Sequence, residues 1–132
     1  MLGWVGNIER ETLDNETFRT VLHTGEHAQL TVMRIPPGED IGWEQHPDRD
    51  QFLRIEQGSA RAEFGTSGDS VDETHDVTED WAVVVPAGVW HNIVNTGTAD
   101  LKLYSLYSPP EHPAGTVHRT KADAEAAERD HD

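Results

Sequence analysis

The chain has 132 residues and no cysteine, and its 25 acidic against 10 basic side chains give a formal charge of −15. That length suits one domain with one core, and the lack of thiols excludes a disulfide framework, a thiolate nucleophile and a thiolate metal site, so any metal must rest on nitrogen and oxygen. With Lys102 and Lys121 the only lysines, the surface repels nucleic acid and anionic membranes and reads as solvated, of a kind suited to a salt-rich cytoplasm.

Met1 to Arg10 lack a basic start followed by an apolar run, and no stretch nears the roughly 18 apolar residues of a membrane span, so a soluble cytoplasmic protein is expected. Runs rich in Val, Ile, Leu and aromatics predict strands at Arg19 to His23, Gln29 to Ile35, Asp50 to Glu56, Ser59 to Phe64, Val71 to Val77, Trp81 to Val85, Trp90 to Asn95 and Leu101 to Tyr107. Between them, Pro36-Pro37-Gly38, Gln57-Gly58, Gly65 to Asp69, Pro86-Ala87-Gly88 and Asn95-Thr96-Gly97 are turn signals. Roughly eight strands in series predict an all-β jelly-roll barrel, whose facing sheets close over a common interior. The barrel should occupy about residues 18–108 of a single domain, 1–132. After Ser108 the Pro109-Pro110-Glu111-His112-Pro113 stretch cannot continue a strand, while Lys121 to Arg129 has helix propensity but no apolar stripe. Helix is therefore expected only in this tail, exposed or frayed. The Pro-rich stretch reads as a plain exit from the barrel, and a lid that carries His112 and His118 over a barrel end is the other course open to it.

Two spaced patterns carry the chemistry: Gly38-(x5)-Glu44-x-His46-(x4)-Gln51-(x6)-Gly58 and Pro86-x-Gly88-(x2)-His91-(x3)-Asn95. Residues two apart in extended chain share a face, so Glu44 and His46 can point inward together, Gln51 aligns with Leu53 and Ile55, and His91 aligns with Ile93 and Asn95. Two imidazoles, a carboxylate and a carboxamide then meet in an apolar interior. Such a set suits a divalent transition metal, with Glu44, His46, Gln51 and His91 as candidate ligands. The competing arrangement is a metal-free cluster in which the two imidazoles bond to Glu44 and Gln51. His23, His27, His75 and His131 lack ligand spacing and are expected at the surface. Trp43, Trp81 and Trp90 read as packing residues, and Arg34, Arg54 and Arg61 as outward partners of carboxylates.

These patterns resemble the paired motifs of the cupin superfamily, Gly-(x5)-His-x-His-(x4)-Glu-(x6)-Gly and Gly-(x5)-Pro-x-Gly-(x2)-His-(x3)-Asn. Every spacing is met, but Glu44 stands in place of the first His, Gln51 in place of the Glu and Asp80 in place of the second motif's first Gly. The resemblance implies a double-stranded β-helix and a divalent iron, manganese, zinc, nickel or cobalt ion. Three imidazoles and a carboxylate around such an ion sum to +1, and so do Glu44, Gln51 and two imidazoles: the two ligand substitutions compensate. The Tyr107 to His118 pattern is similar to small single-domain cupins labelled mannose-6-phosphate-isomerase-like. The resemblance implies a metal-dependent enzyme of isomerase, epimerase or dioxygenase type on a small sugar-like or carbonyl substrate, with Glu44 and His91 as catalytic candidates. The alternative is a non-catalytic module that binds or senses a small ligand or metal. Edge strands of such barrels imply a homodimer.

Overall fold

In the computed structural model, which describes residues 2–131, the first regular element is a helix, α1 (Ile8–Asp14). The Asn7 side chain accepts a hydrogen bond from the Arg10 amide at 3.0 Å, and Glu9 and Glu11 put negative charge at the positive end of the helix. At the other end Lys102, nearly buried, donates to the Leu13 carbonyl at 2.5 Å. Helix is thus not confined to the tail as the sequence suggested. Seven residues make two turns, too few for a 3.6-residue apolar period to show.

Strands follow in the predicted order: β1 (Arg19–Thr24), β2 (Gln29–Ile35), β3 (Asp50–Gln57), β4 (Ser59–Gly65), β5 (Glu73–Thr78), β6 (Ala82–Val85), β7 (Trp90–Asn95) and β8 (Leu101–Ser108). A two-residue strand, β9 (Val117–His118), and helix α2 (Lys121–His131) complete the described chain. The strands form two antiparallel sheets, one ordered β6-β3-β8-β2-β1-β9 and the other β5-β4-β7. This is the predicted double-stranded β-helix. Alternation drives it: β3 buries Gln51, Leu53 and Ile55, and β8 buries Leu101, Leu103, Ser105 and Tyr107. Met33, Ile35, Ile93 and these leucines fill the space between the sheets. Each such side chain, removed from water, contributes about 1.5 to 3 kcal/mol before ordering costs. The β3–β4 turn needs Gly58 at φ 101°, where a Cβ would come within 3.2 Å of the Asp100 carbonyl.

Three expectations are corrected. Trp81, read as a packing residue, is 53% exposed at the β5–β6 turn. The Pro-rich stretch is not a plain exit: its chain returns to the larger sheet, where β9 pairs with β1. The tail helix is docked, with Ala124 buried in the core cluster and Lys121 paired with Asp40. A single alanine allows that close approach without creating an apolar stripe. No helix among the described residues is long and apolar enough to cross a membrane.

Candidate metal centre

Glu44, His46 and His91 come together between the two sheets. His91 lies on β7 of the smaller sheet, and the irregular chain before β3 runs beside it: the Glu44 amide donates to the His91 carbonyl at 3.0 Å and the His91 amide to the Glu44 carbonyl at 2.8 Å. The Gly88 amide donates to the His46 carbonyl at 2.8 Å, which ties the second motif's turn to the first motif's imidazole. One donor atom from each of the three side chains lies within 4.8 Å of the other two. Glu44 Oε1 stands 3.6 Å from His46 Nε2 and 3.9 Å from His91 Nε2, beyond ordinary hydrogen-bond length.

The ring orientations suit an ion. Nδ1 of His91 is 3.1 Å from the Val89 carbonyl, which can only accept, so the ring hydrogen sits on Nδ1 and the Nε2 lone pair is free. Nδ1 of His46 faces the Glu111 carboxylate at 3.4 Å, and Arg49 holds that carboxylate in turn at 2.9 Å. Nε2 of both rings is buried without a hydrogen-bond partner. Gln51 rises from β3 on the larger sheet, 2% exposed. Its Nε2 donates to Ser105 Oγ at 2.9 Å, and its Oε1 is buried and unpartnered. Three orphaned acceptors in one interior run against the rule that buried polar atoms are paired, and a divalent cation would satisfy such a set. The metal-free alternative would leave those acceptors unbonded, because Gln51 bonds Ser105 and neither imidazole nitrogen reaches Glu44.

Electrostatics couple the cluster. Burial would push Glu44 up, but His46, with His91 and Arg19, outweighs it and holds the carboxyl below its usual range. Burial would pull His46 down, yet Glu44 and then Glu111 raise it above the usual imidazole value. Burial holds His91 low and pushes Tyr107, packed edge-on to His46 with ring centroids 5.8 Å apart, up to about 12.

The cluster opens on a cavity of about 510 Å³. Glu44, Gln45 and His46 form its inner wall, while Glu111, His112 and His118 from the Pro-rich stretch and Glu128 from α2 face them. Gln29, fully buried, sets that stretch in place: its Nε2 donates to the His112 carbonyl at 2.7 Å, and its Oε1 accepts from the Glu111 and His112 amides at 3.2 and 2.9 Å. His112 stands edge-on to Tyr107, and burial, then Arg19, pulls it down to about 3, so it is a neutral ring. The sequence reading passed over Arg19, Gln29, Arg49 and Glu111. The Pro-rich stretch takes the second course open to it from the sequence, bringing His112 and His118 to the cavity. Arg34, Arg54 and Arg61 do pair with Asp100, Asp80 and Glu63 away from the cavity.

A family model for the cupin domain matches residues 31–107. The chain is 58% identical over 125 residues to the uncharacterized protein YrkC of Bacillus subtilis (strain 168), covering 95% of this chain and 67% of that protein. It is 46% identical over 115 residues to the uncharacterized protein L612 of Acanthamoeba polyphaga mimivirus, covering 86% and 70% respectively. Among solved structures it is similar to BH2720 from Bacillus halodurans, with a TM-score of 0.92 and 53% identity over 93% of each chain. KdgF from Halomonas sp. shares the fold with a TM-score of 0.62 and 22% identity, covering 70% of this chain and 78% of that one.

Proposed function

The chain belongs to the cupin domain family, and from that premise we propose that it is a metal-dependent enzyme that converts a small carbonyl or sugar-like molecule by isomerase, epimerase or dioxygenase-type chemistry. One observation carries the reading: Nε2 of His46, Nε2 of His91 and Oε1 of Gln51 are buried acceptors without partners, and Glu44 lies between the imidazoles. Glu44, His46 and His91 would hold the ion, and Gln51 would serve as a fourth, weaker ligand. A bound divalent ion would supply a Lewis acid that polarises a substrate oxygen.

The protein's own groups do the rest. The Val89 carbonyl fixes the His91 ring hydrogen on Nδ1, and Glu111 faces Nδ1 of His46, so Nε2 of both imidazoles is turned inward. His112 forms part of the cavity wall, and Tyr107 packs edge-on behind it and holds the ring in place. Glu44, still 28% exposed at the side chain, borders the cavity and is the group best placed to exchange a proton with a substrate there.

Metal content of protein purified without chelator, compared with His91→Ala, tests the centre. Bound divalent metal in the wild type and its loss in the variant are expected, and undetectable metal in both, with none taken up on addition, would end the proposal. Turnover of ketoses, aldoses and β-diketones, with and without oxygen, separates isomerisation from dioxygenation, and tight binding without turnover would mark a sensing module instead. The proposal includes a homodimer, supported by the open edge strand β6 and by exposed Val84 and Leu106 on the outer sheet face. Light scattering at the monomer mass would count against it.

A further inference from the structure

Arg19 differs from the other arginines named above. It is 4% exposed, and among the described residues no carboxylate pairs with it. Its Nε is buried without a partner, and among the described residues its side-chain hydrogen bond runs from Nη1 to Nδ1 of His118 at 3.3 Å. A guanidinium taken out of water without a counter-ion is a heavy cost unless something else supplies the anion.

The fold builds this pair on purpose-made backbone. β9 is two residues long, and its register sets His118 directly opposite Arg19 on β1. The Phe18 amide donates to the Arg119 carbonyl at 3.1 Å and the Val21 amide to the Thr116 carbonyl at 2.9 Å, which pins both ends of the pairing. A guanidinium only donates, so Nδ1 of His118 accepts and the ring hydrogen sits on Nε2. His118 therefore keeps one N–H donor beyond the one side turned to Arg19.

Both residues border space next to the candidate metal centre. Arg19 and Glu44 line a cavity of about 190 Å³, and His118 lines the larger cavity with Glu44, His46 and His112. Glu44 is a wall of both. Glu125 and Glu128 line the smaller cavity too, and both are exposed to solvent. None of the three carboxylates that share this space, Glu44, Glu125 and Glu128, comes within ion-pair distance of Arg19, and Arg49 is engaged by Glu111, so the Arg19 guanidinium is left to pair with an incoming anion. Lys121 is spent on Asp40.

We propose that Arg19 and His118 form an anion subsite that takes the carboxylate of a small organic acid, whose second oxygen-bearing end lies at the Glu44, His46 and His91 cluster. A planar carboxylate matches the guanidinium fork. Only the placement of that second end rests on the metal reading.

The test uses NMR titration of the full chain, metal-free and zinc-loaded, with pyruvate as the acid, pyruvamide as its neutral analogue, and inorganic phosphate. Pyruvate is expected to bind saturably in both forms with shifts at Arg19 and His118, and pyruvamide about tenfold more weakly or worse, the size of one lost charge-assisted contact. Arg19→Gln should lose about tenfold or more in pyruvate affinity with no fall in zinc affinity. Arg19→Lys, which keeps the charge and loses the fork, should also bind pyruvate more weakly and serves if the Gln variant fails to fold. Equal binding of pyruvate and pyruvamide, unchanged pyruvate binding in either variant, or a preference for phosphate would overturn the subsite. Failure of zinc to bind would instead strike the metal reading, and the metal-free titration would still decide this one.

Discussion

Gln51→Glu restores the acidic residue usual at this motif position and tests whether the site's charge is balanced. In the metal-free protein the new carboxyl would sit where Gln51 is 2% exposed, on the same interior as Glu44. Ser105, which now accepts from Gln51 at 2.9 Å, can rotate its hydroxyl and donate, so one hydrogen bond is recoverable. The second, desolvated negative charge is not. If burial and Glu44 raise the new carboxyl by about two to three pKa units above its unfolded value of about 4.3, the variant loses about 3 to 4 kcal/mol at neutral pH. The sign follows from proton binding. Above about pH 4.3 the unfolded state has released this proton and the folded state has kept it, so stability falls with rising pH until the folded carboxyl ionises, and is flat beyond. A divalent ion reverses the effect, because a carboxylate is a stronger ligand than an amide. Urea unfolding of both proteins across pH, with and without zinc, should show a deficit that is smallest in acid, grows towards neutrality and is recovered by metal. A metal-free variant as stable as wild type at neutral pH, or a deficit that does not change with pH, would refute the charge argument.

Metal uptake should weaken as pH falls through the raised His46 value, since the proton and the ion compete for Nε2, and zinc competition titrations across neutrality would show a flat profile if the imidazole is not a ligand. In the metal-free protein the His46 contribution is complete below its unfolded value of 6.5 and is lost as pH rises through the folded one, while that of Glu44 is complete above 4.5 and is lost as pH falls through its depressed value. Their joint contribution to thermal stability is therefore expected to be greatest between those two pH values. Asp80, at φ 72°, occupies the left-handed region that the family's glycine would fill without strain. Asp80→Gly should melt no lower than wild type, since relief of about 1 kcal/mol offsets the exposed pair with Arg54, whereas Asp80→Val should lose about 1 to 2 kcal/mol. The −15 charge predicts a melting temperature that rises from low to molar salt, and no rise would remove self-repulsion as a term in this fold's stability.

What could be read from the chain divides along physical lines. The eight long strands announce themselves because alternation and Gly or Pro punctuation are local properties, and strand parity turns Gln51 and His91 inward, whereas Glu44 and His46 lie on irregular chain that backbone bonds to His91 and Gly88 hold beside them. Arg19, Arg49 and Glu111 could not be read this way, since their roles depend on where the Pro-rich stretch lands. Side chains of the barrel set that landing: buried Gln29 presents a donor to the His112 carbonyl and an acceptor to the Glu111 and His112 amides, and Arg49 donates to the Pro110 carbonyl and pairs with Glu111. β9 then closes against β1 with two residues, and α2 docks through Ala124. None of these has a period to detect. The consequence is that the barrel's spacing carries the candidate ligands, while the wall facing them is built by residues 109–128, whose own pattern leaves open both an exit and a lid. Chemistry that depends on the ion alone should follow the motifs; chemistry that depends on the substrate's shape and charge should follow Arg19, Gln29 and the segment they hold.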